Sequence, residues 1–250
     1  MSHSESKSYW VIVPAAGVGK RMGSDIPKQY LKLHDKTIIE HTLQRLSQID
    51  AISGIVVAIA EGDPWWSALH IEISKPLKVV KGGAERCHTV QNALYSLASE
   101  CSAGDWVLVH DAARPCVRTD DIQLLIHSLS SHDTGGLLGM PVRDTMKRTD
   151  NNAVVSQTVE RDNLWHALTP QMFRYDHLST ALDKALADQF LVTDEASAME
   201  HAGFSPLMVE GHADNIKITR PEDLALAGFY LQNQQEQQLN VMVDGLADGG

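Results

Sequence analysis

Cysteine and basic charge are both scarce in this 250-residue chain, and each shortage removes a class of protein. Its 3 cysteines, Cys87, Cys101 and Cys116, form no Cys-x-x-Cys pair, so neither a disulfide framework nor a zinc knuckle is indicated, and the reducing cytoplasm is the expected compartment. Lys and Arg number 21 against 32 Asp and Glu, a formal net charge of −11, which argues against a nucleic-acid partner. No hydrophobic run is long enough to cross a bilayer. The longest, Ile52 to Ala60, is interrupted by Ser53 and Gly54, so no membrane association is expected. The polar start, Met1 to Ser8, leads into an apolar run that Pro14 breaks at once, which does not read as a secretory signal. The 12 histidines include no His-x-x-x-His pair.

Two familiar phosphate-binding motifs are also missing. A P-loop needs Gly-x4-Gly-Lys-Ser/Thr, but five residues before Gly19 stands Pro14, and Arg21 follows Lys20 where a hydroxyl would be required. A dinucleotide fingerprint counted from Gly17 and Gly19 would need glycine at Met22.

What is present between Val13 and Tyr30 still favours phosphate. An apolar strand runs into a turn with Gly17 and Gly19, followed by the cations Lys20, Arg21 and Lys28. Glycines let backbone N–H groups approach phosphate oxygens, and cations offset the charge that grows during phosphoryl or nucleotidyl transfer. From the glycines alone a plain strand-to-helix turn is equally good; the three cations tilt the reading toward a polyphosphate.

With 43% hydrophobic residues the chain is able to bury a full core. Apolar runs alternate with helical periods. Trp10–Pro14, Ile55–Ala60, Leu77–Val80, Trp106–His110 and Gly135–Met140 read as strands. Between them, Thr37 and Glu40 form a capping box ahead of Ile39, Leu43 and Leu46, and two further amphipathic helices centre on Leu94 and Leu125. Uninterrupted apolar strands separated by helices predict a Rossmann-like, mostly parallel α/β sheet covered on both faces, with ligands at the carboxyl ends of its strands. The glycine turn after Val13 and Asp111 after His110 both fall there.

The rhythm breaks at about 141–162, where two strands flank Asp150-Asn151-Asn152 with no helix to cover them. An exposed hairpin of this kind needs support, and a protruding arm that mediates homodimerisation is expected, an insertion packed on its own domain being the alternative. Helices near 175–187 and 195–202, a strand near 207–210, a short strand over Asn215–Thr219 and a last helix from Glu222 to about Gln232 complete the expected order. A single domain over 9–231 is expected, with residues 1–8 and the Gln-rich and Gly/Asp-rich 232–250 as disordered tails.

Asp111-Ala-Ala-Arg114-Pro115, Pro141-Val-Arg-Asp-Thr145, Thr169-Pro-Gln171, Thr193-Asp-Glu-Ala-Ser197 and Asp214-Asn-Ile-Lys217 follow the opening loop in order. Together these six motifs closely resemble the 2-C-methyl-D-erythritol 4-phosphate cytidylyltransferase family of the non-mevalonate isoprenoid pathway, over roughly Tyr9 to Leu231. The resemblance implies a nucleotidyltransferase-type fold and transfer of CMP from CTP to a polyol phosphate, with release of pyrophosphate. It implies Arg21, Lys28 and Lys217 as transition-state cations and Asp111 as the holder of Mg²⁺. Around CTP it implies Pro14, Ala15, Ala16, Gly17, Gly19, Gly83 and Thr89, with Arg114 nearby. Many relatives carry an acid where this chain has Ala84, and Thr89 keeps the hydroxyl of a frequent serine. For the polyol phosphate the resemblance implies Thr145, Arg161, Thr169, Thr193 and Asp214, with Thr145 and Arg161 reaching a neighbouring subunit's site from the arm. A sister enzyme acting on ribitol 5-phosphate and a non-catalytic nucleotide-binding regulator stand as alternatives.

Overall fold

The computed structural model describes residues 7–17 and 26–247, with side chains as far as residue 240. Apolar residues at alternate positions of β1 (Tyr9–Pro14) face opposite ways and build two separate cores. A single turn at Lys28–Tyr30 and the short strands β2 (Lys32–Leu33) and β3 (Lys36–Thr37) lead into α1 (Ile38–Ser47). The predicted capping box opens that helix: the Thr37 hydroxyl accepts from Glu40 N–H at 3.4 Å and the Glu40 carboxylate accepts from Thr37 N–H at 2.6 Å.

There follow β4 (Ile52–Ile59), β5 (Leu77–Lys81), α2 (Arg86–Ser96), β6 (Trp106–Val109), α3 (Thr119–Leu129) and β7 (Gly135–Pro141). The hairpin β8 (Met146–Thr149) and β9 (Val155–Val159) precedes β10 (Trp165–Arg174), α4 (Tyr175–Ala187), α5 (Glu195–His201), β11 (Leu207–Glu210) and α6 (Pro221–Ala247).

The central sheet has seven strands in the order β11-β7-β10-β6-β1-β4-β5. All run parallel except β10, which pairs antiparallel with β6 and β7. Val11, Val13, Ile55 and Val57 meet Leu43 of α1 and Ile122 and Leu125 of α3 on one face. On the other, Ile12, Val56 and Val107 meet α2, α4 and α5 through residues such as Leu94, Leu182 and Met199. Each fully buried aliphatic side chain contributes about 1.5–3 kcal/mol, so the alternation along a single strand clamps both helical layers to the sheet. This is the expected mostly parallel sheet with helices on both faces.

Three elements differ from the sequence expectation. β10 was not predicted, because Pro170 lies within it and proline removes a ladder donor. Pairing with β7 shifts register between Ala167 and Gln171, so the strand tolerates Pro170 by breaking its ladder there. Residues 215–219 form no strand; their backbone bonds to other elements instead, as Ile218 N–H donates to Ala113 C=O at 2.9 Å and Asn215 C=O accepts from Arg114 at 2.7 Å.

The third difference is the tail. The disorder expected over 232–250 gives way to helix as far as Ala247, anchored by Gln234, which is 5% exposed. Its Nε2 donates at 2.9 Å to both Cys116 C=O and the Asp214 carboxylate, and its Oε1 accepts from Arg45 at 2.8 Å. A polar composition predicts disorder only when the polar groups stay in water; here one glutamine finds three buried partners.

The expected hairpin is present at β8 and β9, exposed along its length. The Asp150 carboxylate accepts from Asn152 and Val154 N–H at 2.9 Å each, closing its turn. Among the described residues no helix is long and apolar enough to cross a membrane.

Candidate active site

Strands β1 and β6 lie side by side, Ile12 opposite Val109, so their carboxyl ends deliver Pro14 and Asp111 to one edge of the sheet. Two cavities open there. The first, about 210 Å³, is bounded by Pro14, Ala15, Ala16 and Gly17 on one side and by Gly83 and Thr89 on another. Lys28, Asp111 and Lys217 complete it. The second, about 220 Å³, takes in Arg114, Thr169, Thr193 and Asp194. Arg86, Asp111 and Lys217 line both cavities and form their common wall.

Asp111 is the centre of that wall. Its Oδ1 accepts from Arg86 Nε at 3.3 Å, and its Oδ2 lies 3.4 Å from Arg114 Nε and 2.9 Å from Lys217 Nζ. Burial by itself would raise the carboxyl pKa, but the charges of Arg86, Lys217 and Arg114 hold it well below the usual carboxylate range. The group is therefore ionised at every working pH. Arg86 makes a second, two-pronged pair with Glu195, 3.0 Å from its NH2.

The neighbouring residues are held just as closely. His110 is fully buried, and desolvation lowers its pKa to about 4. Neutral, it donates Nε2–H to Arg114 C=O at 3.1 Å and accepts at Nδ1 from the Thr169 hydroxyl at 3.0 Å. The same hydroxyl accepts from Asp111 N–H at 3.2 Å. Thr169 thus ties β10 to the end of β6 while also lining the second cavity.

The first cavity is shaped by three polar side chains, Gln29, Lys28 and Thr89. Gln29, 3% exposed, donates Nε2–H to Ala15 C=O at 2.7 Å and Gly17 C=O at 3.1 Å, so it holds the chain leaving β1. Lys28 Nζ donates to Ile218 C=O at 2.9 Å, joining this side to the loop that carries Lys217. Thr89 accepts from Gly83 N–H at 3.0 Å and donates to Glu85 C=O at 2.9 Å. Gly83 must be glycine: a Cβ there would lie 2.4 Å from His88 Cβ and 2.8 Å from the His88 carbonyl carbon.

Most sequence-predicted residues come together here. Pro14, Ala15, Ala16, Gly17, Gly83, Thr89, Lys28, Asp111 and Lys217 line the first cavity. Arg114, Thr169 and Thr193 line the second. Arg21 and Gly19 lie outside the described residues. Thr145 and Arg161 sit exposed at the base of the hairpin and line neither cavity, Arg161 donating to Arg143 C=O. Asp214 lines neither cavity; it pairs with Arg118 at 2.7 Å and with Gln234. Sequence reasoning overlooked Gln29, Arg86 and Glu195, although Arg86 stands two positions beyond Ala84 and Glu195 inside the Thr193 motif.

Mg²⁺, a hard cation, takes oxygen donors. Among the described residues, the close grouping of Glu85, Cys87 and His88 offers sulfur and nitrogen, which suits Mg²⁺ poorly. Asp111 fits better: its carboxylate is ionised and the residue lines both cavities. Mg²⁺ is commonly held by one or two carboxylates together with substrate phosphates and water.

A glycine turn and a cation-lined cleft at the carboxyl ends of a mostly parallel sheet define a nucleotidyltransferase-type protein. The 2-C-methyl-D-erythritol 4-phosphate cytidylyltransferase family model matches residues 9–233, and the chain belongs to that family. It is 53% identical over 227 residues to the enzyme of that name from Vibrio vulnificus strain CMCP6, covering 91% of this chain and 96% of the relative. It is 54% identical over 227 residues to the one from Aeromonas hydrophila, covering 91% of each. The crystal structure of the Francisella tularensis cytidylyltransferase superposes with a TM-score of 0.78 at 39% identity, over 90% of this chain and 100% of that one.

Proposed function

We propose that the chain transfers CMP from CTP to the phosphate of 2-C-methyl-D-erythritol 4-phosphate, giving 4-diphosphocytidyl-2-C-methyl-D-erythritol and pyrophosphate. The observation that carries this reading is the common wall: two cavities of similar size meet at Arg86, Asp111 and Lys217. A reaction joining two phosphates needs such a meeting point.

In the proposed step a phosphate oxygen of the polyol forms a bond to the α-phosphorus of CTP while the α–β bridging P–O bond breaks, and its electron pair leaves with pyrophosphate. The second pKa of a phosphate monoester is about 6, so the nucleophile is already ionised and needs no general base. The barrier lies in bringing two anions together. Lys28 and Lys217, both lining the nucleotide cavity, are suited to neutralise that charge, with Arg21 assigned beside them from its motif. Asp111 would hold Mg²⁺, which when bound supplies further neutralisation of the triphosphate.

Ala15, Ala16 and Gly17, with Gly83 across the cavity, leave room for a base against backbone. Pro14 and Thr89 complete that wall, and Gly19 is assigned to the nucleotide from its motif alone. Thr169 and Thr193, with Asp214 from its motif, are assigned to the polyol phosphate, while Arg114, expected near the nucleotide, lines the second cavity beside Asp111. Thr145 and Arg161 are assigned to a neighbour's site in a homodimer joined through the arm. Exposed Val154 and Val155, at 61% and 56%, support burial of that arm against a second copy. A cytoplasmic location fits the free, unpaired cysteines.

The test is pyrophosphate release with CTP or UTP against 2-C-methyl-D-erythritol 4-phosphate or ribitol 5-phosphate. Turnover with CTP and the methylerythritol phosphate is expected; faster turnover of ribitol 5-phosphate, or none with any pair, would overturn the reading.

A further inference from the structure

Glu195 is fully buried and lines neither cavity, yet its carboxylate makes a two-pronged pair with Arg86, whose exposed portion belongs to the wall between them. We propose that Glu195 is a positioning residue for the transfer: by gripping both terminal nitrogens of Arg86 it presents the remaining Nε to Asp111 and keeps this cation from closing on substrate phosphate.

Glu195 owes its own place to other contacts. It opens α5, whose N-cap Asp194 accepts from Ser197 N–H at 2.9 Å. Gln171, two residues beyond Thr169 on β10, accepts from Ala196 N–H at 2.8 Å and donates to Asp194 at 2.9 Å. Glu195 is thus flanked on both sides by backbone and side chains that are fixed without Arg86. Positional information runs from α5 to Arg86, and from Arg86 to Asp111.

Charge gives the pairing its consequence. Asp111 faces three cations, Arg86, Arg114 and Lys217. Glu195 also engages Arg86, which is thereby held from two sides, whereas Lys217 meets only Asp111 among the described ion pairs of the wall. Without Glu195, Arg86 would have two free N–H edges beside a cavity assigned to a triphosphate, an arrangement that binds phosphate in the ground state and lowers turnover. A buried carboxylate is also a poor device for stability alone, since replacing a buried ion pair by apolar residues is often neutral or favourable.

The inference rests on the transferase reading, and two measurements keep the two apart. In steady-state kinetics, Glu195→Gln should lower kcat roughly 10–100-fold, in the range found for partners that orient a reacting group, while KM for CTP stays level or falls. Glu195→Asp should recover part of kcat. The Arg86→Ala, Glu195→Gln pair should be no slower than Arg86→Ala alone, because the two residues act as one unit. Independently of activity, the Arg86 Nε–H resonance of the ligand-free protein should be protected from exchange in the parent and exposed in Glu195→Gln. Parent turnover with unchanged kcat in Glu195→Gln, multiplicative losses in the double variant, or an unaltered Arg86 resonance would each overturn the proposal. A parent without turnover would overturn the transferase reading, and the resonance would still decide the positioning.

Discussion

Lys217 Nζ stands 2.9 Å from Asp111 Oδ2, a partly exposed cation resting on a nearly buried anion. The pair lies on the wall shared by both cavities, and the lysine is 36% exposed against 9% for the aspartate. Phosphate arriving on either side competes for the lysine. Lys217→Ala is expected to reduce kcat roughly 10³-fold, by analogy with cations that stabilise phosphoryl transfer. Single-turnover measurement with saturating CTP would expose a smaller effect; a loss below tenfold removes Lys217 from the charge-neutralising role.

Lys28 lines the same cavity from the turn Lys28–Tyr30, its Nζ on Ile218 C=O at 2.9 Å beside Lys217. Lys28→Ala should cost a similar factor of about 10³ in kcat, and Lys28→Arg should recover little because a planar guanidinium does not reproduce a point charge. Both are read from pyrophosphate release.

Gln29 should act on binding more than on chemistry. Its amide bridges Ala15 C=O and Gly17 C=O, so Gln29→Ala leaves two carbonyls without their donor and costs about 1–3 kcal/mol of stability. KM for CTP should rise at least severalfold with kcat less affected. A variant that keeps parental KM would show that the chain after β1 holds its shape without this bridge.

The buried His110 predicts a pH dependence of folding. Its pKa is about 4 in the fold against an ordinary 6.5, so the unfolded chain binds its proton more readily. Its contribution is complete above pH 6.5 and is lost as pH falls toward 4, a change on the order of 3 kcal/mol across that window. Urea titrations of the ligand-free protein with chelator present should show the decline, and His110→Gln should flatten it.

The tail is open to a direct test. Truncation before Gln234 removes donors to Asp214 and Cys116 C=O and an acceptor for Arg45. A loss of about 2 kcal/mol, equivalent to roughly 4–8 °C in Tm for a chain of this size, is expected. An unchanged Tm would mean that α6 beyond Leu231 contributes nothing.

The dimer assignment is tested by mixing. Arg161→Ala and Lys28→Ala subunits should each be impaired alone and should regain activity together if the arm serves its neighbour's site. Verified mixed dimers that stay inactive would confine Arg161 to its own subunit.

What the sequence determined by itself was everything that local pattern controls. The unbroken apolar run of Val11, Ile12 and Val13 required a strand buried on both faces, Thr37 with Glu40 required a helix start, and Asp150-Asn151-Asn152 required a turn. The ordered motifs also marked nearly every residue of the two cavities, because backbone approach and cation placement need particular residues at particular spacings. The tertiary structure decided what depends on partners distant in the chain. Pro170 is tolerated within a strand because β6 and β7 flank it and the ladder breaks at that point. Gln234 fixes a tail of polar composition through contacts up to 189 positions away, and Asp214 is turned from the cavities by Arg118 and Gln234. The opening segment's glycines were legible, yet the residue that holds its described end is Gln29, whose role exists only once Ala15 and Gly17 are brought to it. Likewise the cations announced a phosphate site, but only folding joined Glu195 through Arg86 to Asp111, a chain of charge that spans 109 residues and whose energy depends on burial no sequence pattern records.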